Sequence, residues 1–154
     1  MPHLTVASPV GPLSLVEEDG ALAQLDWRPA EGGMETPLLS EARNQLAAYF
    51  AGRLKRFDLP LALAGTPHQR AVWAAMQRIP YGQTRSYGEI AHEVGSGPRA
   101  VGTACGRNPI AIIVPCHRIL GTSNQGLGGY SGGEGLATKR FLLTLEQKAL
   151  ARAA

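Results

Sequence analysis

Two helix-start signals twenty residues apart constrain this chain more than anything else in it. Thr66-Pro67-His68-Gln69 and Ser86-Tyr87-Gly88-Glu89 each set a hydroxyl three residues ahead of Gln or Glu. In that pattern side chain and backbone cap one another reciprocally, so each opens a helix. The first also has proline at its first helical position, where a missing N–H costs nothing. Val72, Trp73 and Met76 share one face of it, and Pro80-Tyr81-Gly82 ends it. The second helix runs to Val94 and stops at the turn Gly95-Ser96-Gly97, and a third runs from Pro98 to about Gly106. Two short helices joined by a glycine turn, the second bearing Arg99 and Arg107, fit a helix-turn-helix.

Upstream the pattern changes. Leu4–Ala7, Leu13–Val16 and Ala21–Trp27 read as antiparallel strands separated by a Pro-Val-Gly-Pro turn and by Glu-Asp-Gly. Leu38, Leu39, Ala42, Leu46 and Tyr49/Phe50 recur at helical spacing, which predicts a helix over Pro37–Phe50. Ala51–Gly65 shows little periodicity and reads as a linker. The expected fold is therefore α+β in two lobes. Residues 1–60 form a small antiparallel sheet with a helix. Residues 61–154 form a mostly helical domain with a helix-turn-helix and a cysteine at the end of a short strand.

The chain is 44% hydrophobic, enough for a core, and no stretch is long and apolar enough to span a bilayer. Met1–Gly20 lacks a basic region followed by an apolar run, so no export signal is read and a cytoplasmic site is expected. Two cysteines in an unexported chain point to reduced thiols. Charge is uneven. Residues 1–60 hold five Lys/Arg against eight Asp/Glu, and residues 61–154 hold ten against four. A basic C-terminal part suits nucleic acid, though a solvated face without a partner fits equally well on charge alone.

Downstream of the helices, Asn108-Pro109 breaks the chain. The apolar run Ile110–Val114 then reads as a buried strand leading into Pro115-Cys116-His117-Arg118. A cysteine is a strong nucleophile only as a thiolate, so a reactive one needs a nearby base or cation. Cys116 has His117 and Arg118 beside it in sequence. Neighbours on an extended strand point to opposite faces, so His117 reaches the sulfur only through a bend after Pro115 or a bridging water. A third group usually orients such a base, and Glu146 is a candidate. Taken alone, a Cys-His pair at a strand end is more often structural. Residues 121–135 contain seven glycines and are expected to form a mobile loop. Leu136–Ala149 is a final amphipathic helix. Cys105, among Ala and Gly, reads as core filler. His3, His68 and His92 have no ligand-like spacing, and no metal site is expected.

Several ordered segments carry a resemblance. Asn108-Pro109-Ile110-Ala111-Ile112-Ile113-Val114-Pro115-Cys116-His117-Arg118-Ile119 resembles the active-site signature of the O6-alkylguanine-DNA alkyltransferases, also called methylated-DNA–protein-cysteine methyltransferases. Ile79–Ala91 is similar to the segment leading into that family's helix-turn-helix, and Arg99-Ala100-Val101-Gly102 to its recognition helix. Gly129-Tyr130-Ser131-Gly132-Gly133 resembles its substrate loop, and Phe141–Glu146 its last helix. The match is dense over about residues 66–147.

The resemblance implies a single-turnover transfer in which Cys116 takes an alkyl group from O6 of guanine, or O4 of thymine, in duplex DNA. It implies that His117 takes the thiol proton through a water and that Glu146 holds His117. The base would be flipped out of the duplex with the recognition helix in the minor groove, Arg99 filling the gap and Tyr87 assisting the rotation and hydrogen-bonding the ring. Ala100, Gly102 and Thr103 would allow close approach, and Arg107 would meet phosphate. Tyr87, Ile119, Leu127, Tyr130 and Ser131 would form the pocket, with Ser131 on O6, while Asn108 would pin the helix-turn-helix to the active-site strand. No cofactor and a monomeric state are implied. Ala111 stands where some members have proline and Gly129 where some have asparagine. Glu134-Gly135 lengthens the loop, which leaves lid shape and alkyl size open. The competing readings are a non-enzymatic binder of alkylated DNA, opposed by Cys116 itself, and a Cys-His hydrolase or thiol oxidoreductase, opposed by the helix-turn-helix.

Overall fold

The alternation in the first thirty residues produces three short strands, β1 (His3–Val6), β2 (Leu13–Glu18) and β3 (Ala21–Asp26), in a computed structural model that describes residues 1–153. They form one antiparallel sheet in the order β1-β2-β3. Leu4 lies opposite Leu15 and Leu15 opposite Leu25, so the apolar positions share one face. Helix α1 (Pro37–Phe50) starts where the Thr36 hydroxyl accepts from the Leu39 amide, and it buries Leu39, Ala42, Leu46 and Tyr49. Each large side chain so buried contributes roughly 1.5–3 kcal/mol before entropy is counted.

The chain divides into two units, Met1–Leu63 and Ala64–Ala154. Residues 51–63, read from sequence as a linker, belong to the first. The Leu22 amide donates to Pro60 O and the Ala62 amide to Leu22 O, both at 2.8 Å, and Leu61 bridges to Leu22 in parallel. The segment extends the β3 edge of the sheet, and that pairing needs only backbone, so it leaves no side-chain periodicity to read.

In the second unit both capping boxes form as expected. They open α2 (Pro67–Gln77) and α3 (Tyr87–Val94), and α3 ends on Gly95 in the left-handed region. α4 (Pro98–Gly106) follows directly. The Trp73 indole N–H donates to Ala104 O at 2.9 Å and ties α2 to α4. A two-residue strand β4 (Arg85–Ser86) pairs in parallel with β5 (Ile119–Leu120). After it come a single turn α5 (Ser123–Gly126), in which Asn124 and Gln125 are left-handed, and α6 (Leu136–Ala153), one turn longer than the sequence suggests. Among the described residues no helix is long and apolar enough to cross a membrane.

Ile110–Val114 is buried as expected, but it is not a strand. Ile112 adopts φ +75°, a conformation that costs a β-branched residue about 1–3 kcal/mol. The Val114 amide closes back on Ile110 O at 2.9 Å. Asn108 makes this reversal possible. Its Oδ1 accepts from the Ile110 amide at 3.0 Å and its Nδ2 donates to Val114 O at 2.8 Å. A side chain thus satisfies the buried backbone that a sheet partner would otherwise satisfy.

Candidate active site

Cys116 leaves this turn as the first residue of a 3₁₀ turn over Cys116–Arg118, which runs straight into β5. The chain does bend after Pro115, one of the two routes open to His117, but the bend alone brings no His117 nitrogen into hydrogen bond with the sulfur. Asn108 and the Tyr130 hydroxyl both lie near enough to the Cys116 sulfur to favour its anion. Burial pushes the Cys116 thiol up, and Asn108, Tyr130 and the Lys139 charge only partly offset it. Burial therefore favours the resting thiol. A base is needed to ionise it, and the two donors near sulfur then favour the anion.

His117 is fully buried, with Nε2 2.6 Å from Glu146 Oε2. Burial alone would raise the Glu146 carboxyl, but hydrogen bonds and charge from His117 and Arg118 outweigh it and bring it down to about 2. An ionised carboxylate only accepts, so Nε2 carries the proton. Nδ1 is buried with no hydrogen-bond partner among the described residues. Burial lowers the His117 pKa more than Glu146 raises it, so the imidazole is neutral and Nδ1 carries the lone pair.

Two groups here, Gly82 and Lys139, escape a sequence reading, and Arg118, noted there only as a cation beside Cys116, turns out to serve Glu146. Arg118 is buried and grips Glu146 with Nε on Oε1 at 2.9 Å and Nη2 on Oε2 at 3.1 Å. The Gly82 amide donates to Oε1 at 3.0 Å. Lys139, wholly buried on α6, donates to Ile119 O at 2.6 Å, Leu127 O at 2.5 Å and Gly129 O at 3.2 Å. The one available signal was position, since Lys139 and Glu146 fall on the same face of α6 as Leu142 and Ala149. Two of these three carbonyl bonds, to Leu127 and Gly129, hold the expected glycine loop against α6, and the third, to Ile119, holds β5.

A groove of about 1030 Å³ lies beside the turn, with Tyr87, Arg99, Gly102, Gly121, Gly128 and Gly129 in its walls. A backbone hydrogen bond from Gly129 meets the Tyr87 hydroxyl. Arg99, Ala100, Thr103 and Arg107 are exposed along α4 and its end, and Thr103 turns its hydroxyl back to Arg99 O. Ile119 is buried in β5, Leu127 is half-buried and Ser131 is exposed. Asn108, Cys116 and Tyr130 thus form one cluster, His117 and Glu146 a second, and Tyr87, Arg99 and Gly102 line the groove. Cys105 lies outside them. Burial pushes its thiol up to about 12, which leaves it unreactive. Among the described residues no group of three His, Cys, Asp or Glu could hold a metal ion.

The second unit thus combines a helix-turn-helix that lines a groove with a buried cysteine and a buried His–Glu pair, the arrangement of a DNA-binding domain that carries a thiol. Comparison with known proteins agrees. Residues 67–148 match the model described as 6-O-methylguanine DNA methyltransferase, DNA binding domain. Residues 2–63 match its ribonuclease-like domain. The chain belongs to the 6-O-methylguanine DNA methyltransferase family. It is 50% identical over 155 residues to the methylated-DNA–protein-cysteine methyltransferase of Mycolicibacterium paratuberculosis, covering 95% of this chain and 92% of that one. It is 44% identical over 158 residues to the constitutive enzyme of that name from Bacillus subtilis, covering 94% of each. The crystal structure of Mycobacterium tuberculosis OGT in complex with DNA is similar at a TM-score of 0.84 and 48% identity, over 96% of this chain and 93% of that one.

Proposed function

We propose that this protein repairs DNA by direct reversal, moving a methyl or other alkyl group from O6 of guanine, or O4 of thymine, irreversibly onto Cys116. The observation that carries this is the Cys116 thiol flanked by Asn108 and Tyr130, with a neutral His117 backed by ionised Glu146 in the same turn. His117 Nδ1 takes the thiol proton through a bridging water. The thiolate attacks the alkyl carbon, the S–C bond forms, and the C–O6 bond breaks. The departing base gains a hydrogen bond from Tyr87, which makes it a better leaving group. No step regenerates the thiol, so each molecule acts once and needs no cofactor.

A base inside a duplex cannot reach a sulfur set behind the groove wall, so it must be flipped out. Arg99, exposed at the start of α4, has the flat face and donor fork to occupy the gap. Ala100, Gly102 and Thr103 keep α4 slim enough for the minor groove, and Arg107 contacts phosphate. Ile119, Leu127, Tyr130 and Ser131 complete the pocket, with Ser131 on O6. Asn108 couples α4 to the thiol through the turn it holds. The partner is alkylated duplex DNA, met by a monomer in the cytoplasm.

Intact-mass measurement after incubation with O6-methylguanine duplex tests this. One methyl group should appear, map to Cys116, and be absent from Cys116→Ala. Selective binding of the methylated duplex with no mass change would instead mark a damage-flagging binder and overturn the proposal.

A further inference from the structure

Glu146 meets two charged or titratable side chains and one backbone amide, and the alkyl transfer described above uses only His117 among them. Its carboxylate accepts from His117 Nε2 at 2.6 Å, from Arg118 Nε at 2.9 Å and Nη2 at 3.1 Å, and from the Gly82 amide at 3.0 Å. His117 and Glu146 are wholly buried and Arg118 nearly so. Arg118 is fixed on its other sides as well. Its Nη1 donates to Ile79 O at 2.8 Å, and its guanidinium lies 5.5 Å over the Tyr81 ring. The other charge that bears on His117 is Lys139, from α6.

Charge counting in this buried volume decides the protonation state. With Glu146 anionic and Arg118 cationic, a neutral His117 leaves the trio uncharged. A protonated His117 would leave one positive charge away from water, which burial strongly disfavours. Lys139 adds a further positive charge nearby but bonds carbonyls rather than Glu146, so without Arg118 a neutral His117 would leave the buried carboxylate with no cationic hydrogen-bond partner, and uptake of a proton by His117 would supply one.

We propose that Arg118 is a positioning residue that occupies the charge of Glu146 and so keeps His117 neutral, available to take the Cys116 proton at and below neutral pH. This rests on reading Cys116 as the nucleophile and His117 as its base. The charge is what matters: the guanidinium engages both carboxylate oxygens, and Oε2 still accepts from His117 as well. Burial is the largest influence holding His117 down, and the Arg118 charge adds to it against the pull of Glu146.

The test uses the full chain and its Arg118→Gln and Arg118→Lys variants. With only four histidines in the sequence, imidazole nitrogen NMR titrations are readily assigned. In the unaltered chain His117 should be the Nε2-protonated neutral tautomer at pH 7. In Arg118→Gln its midpoint should rise by about 1–3 pH units, as expected for loss of an adjacent charge. Alkylation of Cys116 at pH 7 should then slow about tenfold and recover as pH rises. Arg118→Lys keeps the charge and should titrate close to the unaltered chain. An imidazolium at pH 7 in the unaltered chain overturns the proposal without any variant, which covers the case in which Arg118→Gln does not fold. So does an unchanged midpoint in Arg118→Gln with a rate loss equal at every pH. Failure of Cys116 to take an alkyl group would count against the alkyl-transfer reading, whereas the titration of His117 stands apart from it.

Discussion

At position 128 the backbone sits at φ +74°, and a Cβ there would lie 2.9 Å from a Tyr87 ring carbon and 3.0 Å from the Gly121 amide nitrogen. Conformation and space both demand glycine, and the ring that demands the space belongs to the residue proposed to meet the substrate base. Gly128→Ala should cost about 1–3 kcal/mol in chemical denaturation, the range for a strained backbone position. It should also slow alkyl transfer from duplex DNA, because Tyr87 or the loop has to move. Unchanged stability and rate would show that the slot is looser than its geometry implies. The same contrast between what is local and what is not separates the legible site residues from the others. Cys116 and His117 are adjacent and carry their chemistry in their types. Arg118 and Lys139 look like ordinary basic residues in sequence, because what makes them part of the site is a carboxylate 28 residues away and three backbone carbonyls.

Among the elements, α2, α3 and α4 follow from signals confined to a single turn of helix: a hydroxyl, a proline or a glycine at the right offset. Such interactions act over a few residues and survive in any tertiary setting. Ile110–Val114 had no comparable determinant. An apolar run of five states that it is buried, not which partner its backbone finds, and Asn108 replaced the sheet. The glycine loop has a further determinant that is not local. Its residues are flexible, but its carbonyls are held from α6 by Lys139. Lys139→Met should free that loop. Limited proteolysis should cut faster within residues 121–135, with a stability loss of about 1–3 kcal/mol, since removing the cation also removes its own burial cost. A loop no more sensitive to protease in the variant would show that α6 does not hold it.

The molecule as a whole carries a pH dependence set by its buried groups. His117 titrates below its ordinary 6.5 when folded, so the unfolded chain binds the extra proton first and stability falls as pH drops below about 6.5. Glu146 adds a second acid loss. Its folded value of about 2 lies below the ordinary 4.5, so its contribution, about 3 kcal/mol, is complete above 4.5 and disappears as pH falls toward 2. Cys105 acts in the opposite sense. Its thiol is raised from 9.0 to about 12, so stability is full below 9 and declines as pH rises above it. Denaturation midpoints across pH should show a plateau between about 6.5 and 9. Glu146→Gln should flatten the limb below 4.5 and Cys105→Ala the limb above 9. A profile unaltered by both substitutions would remove these groups as its cause.

The amino-acid sequence by itself determined the helix starts and stops, the apolar faces, the charge asymmetry and the Cys116–His117 pair, since each depends on residue type and on spacing within a few positions. Only the tertiary structure decided the protonation of the site. Whether Cys116 rests as a thiol and His117 as a free base depends on burial and on charges brought from α6 and from the Ile79–Gly82 segment. Desolvation and Coulomb energy act through space, and sequence separation does not encode distance.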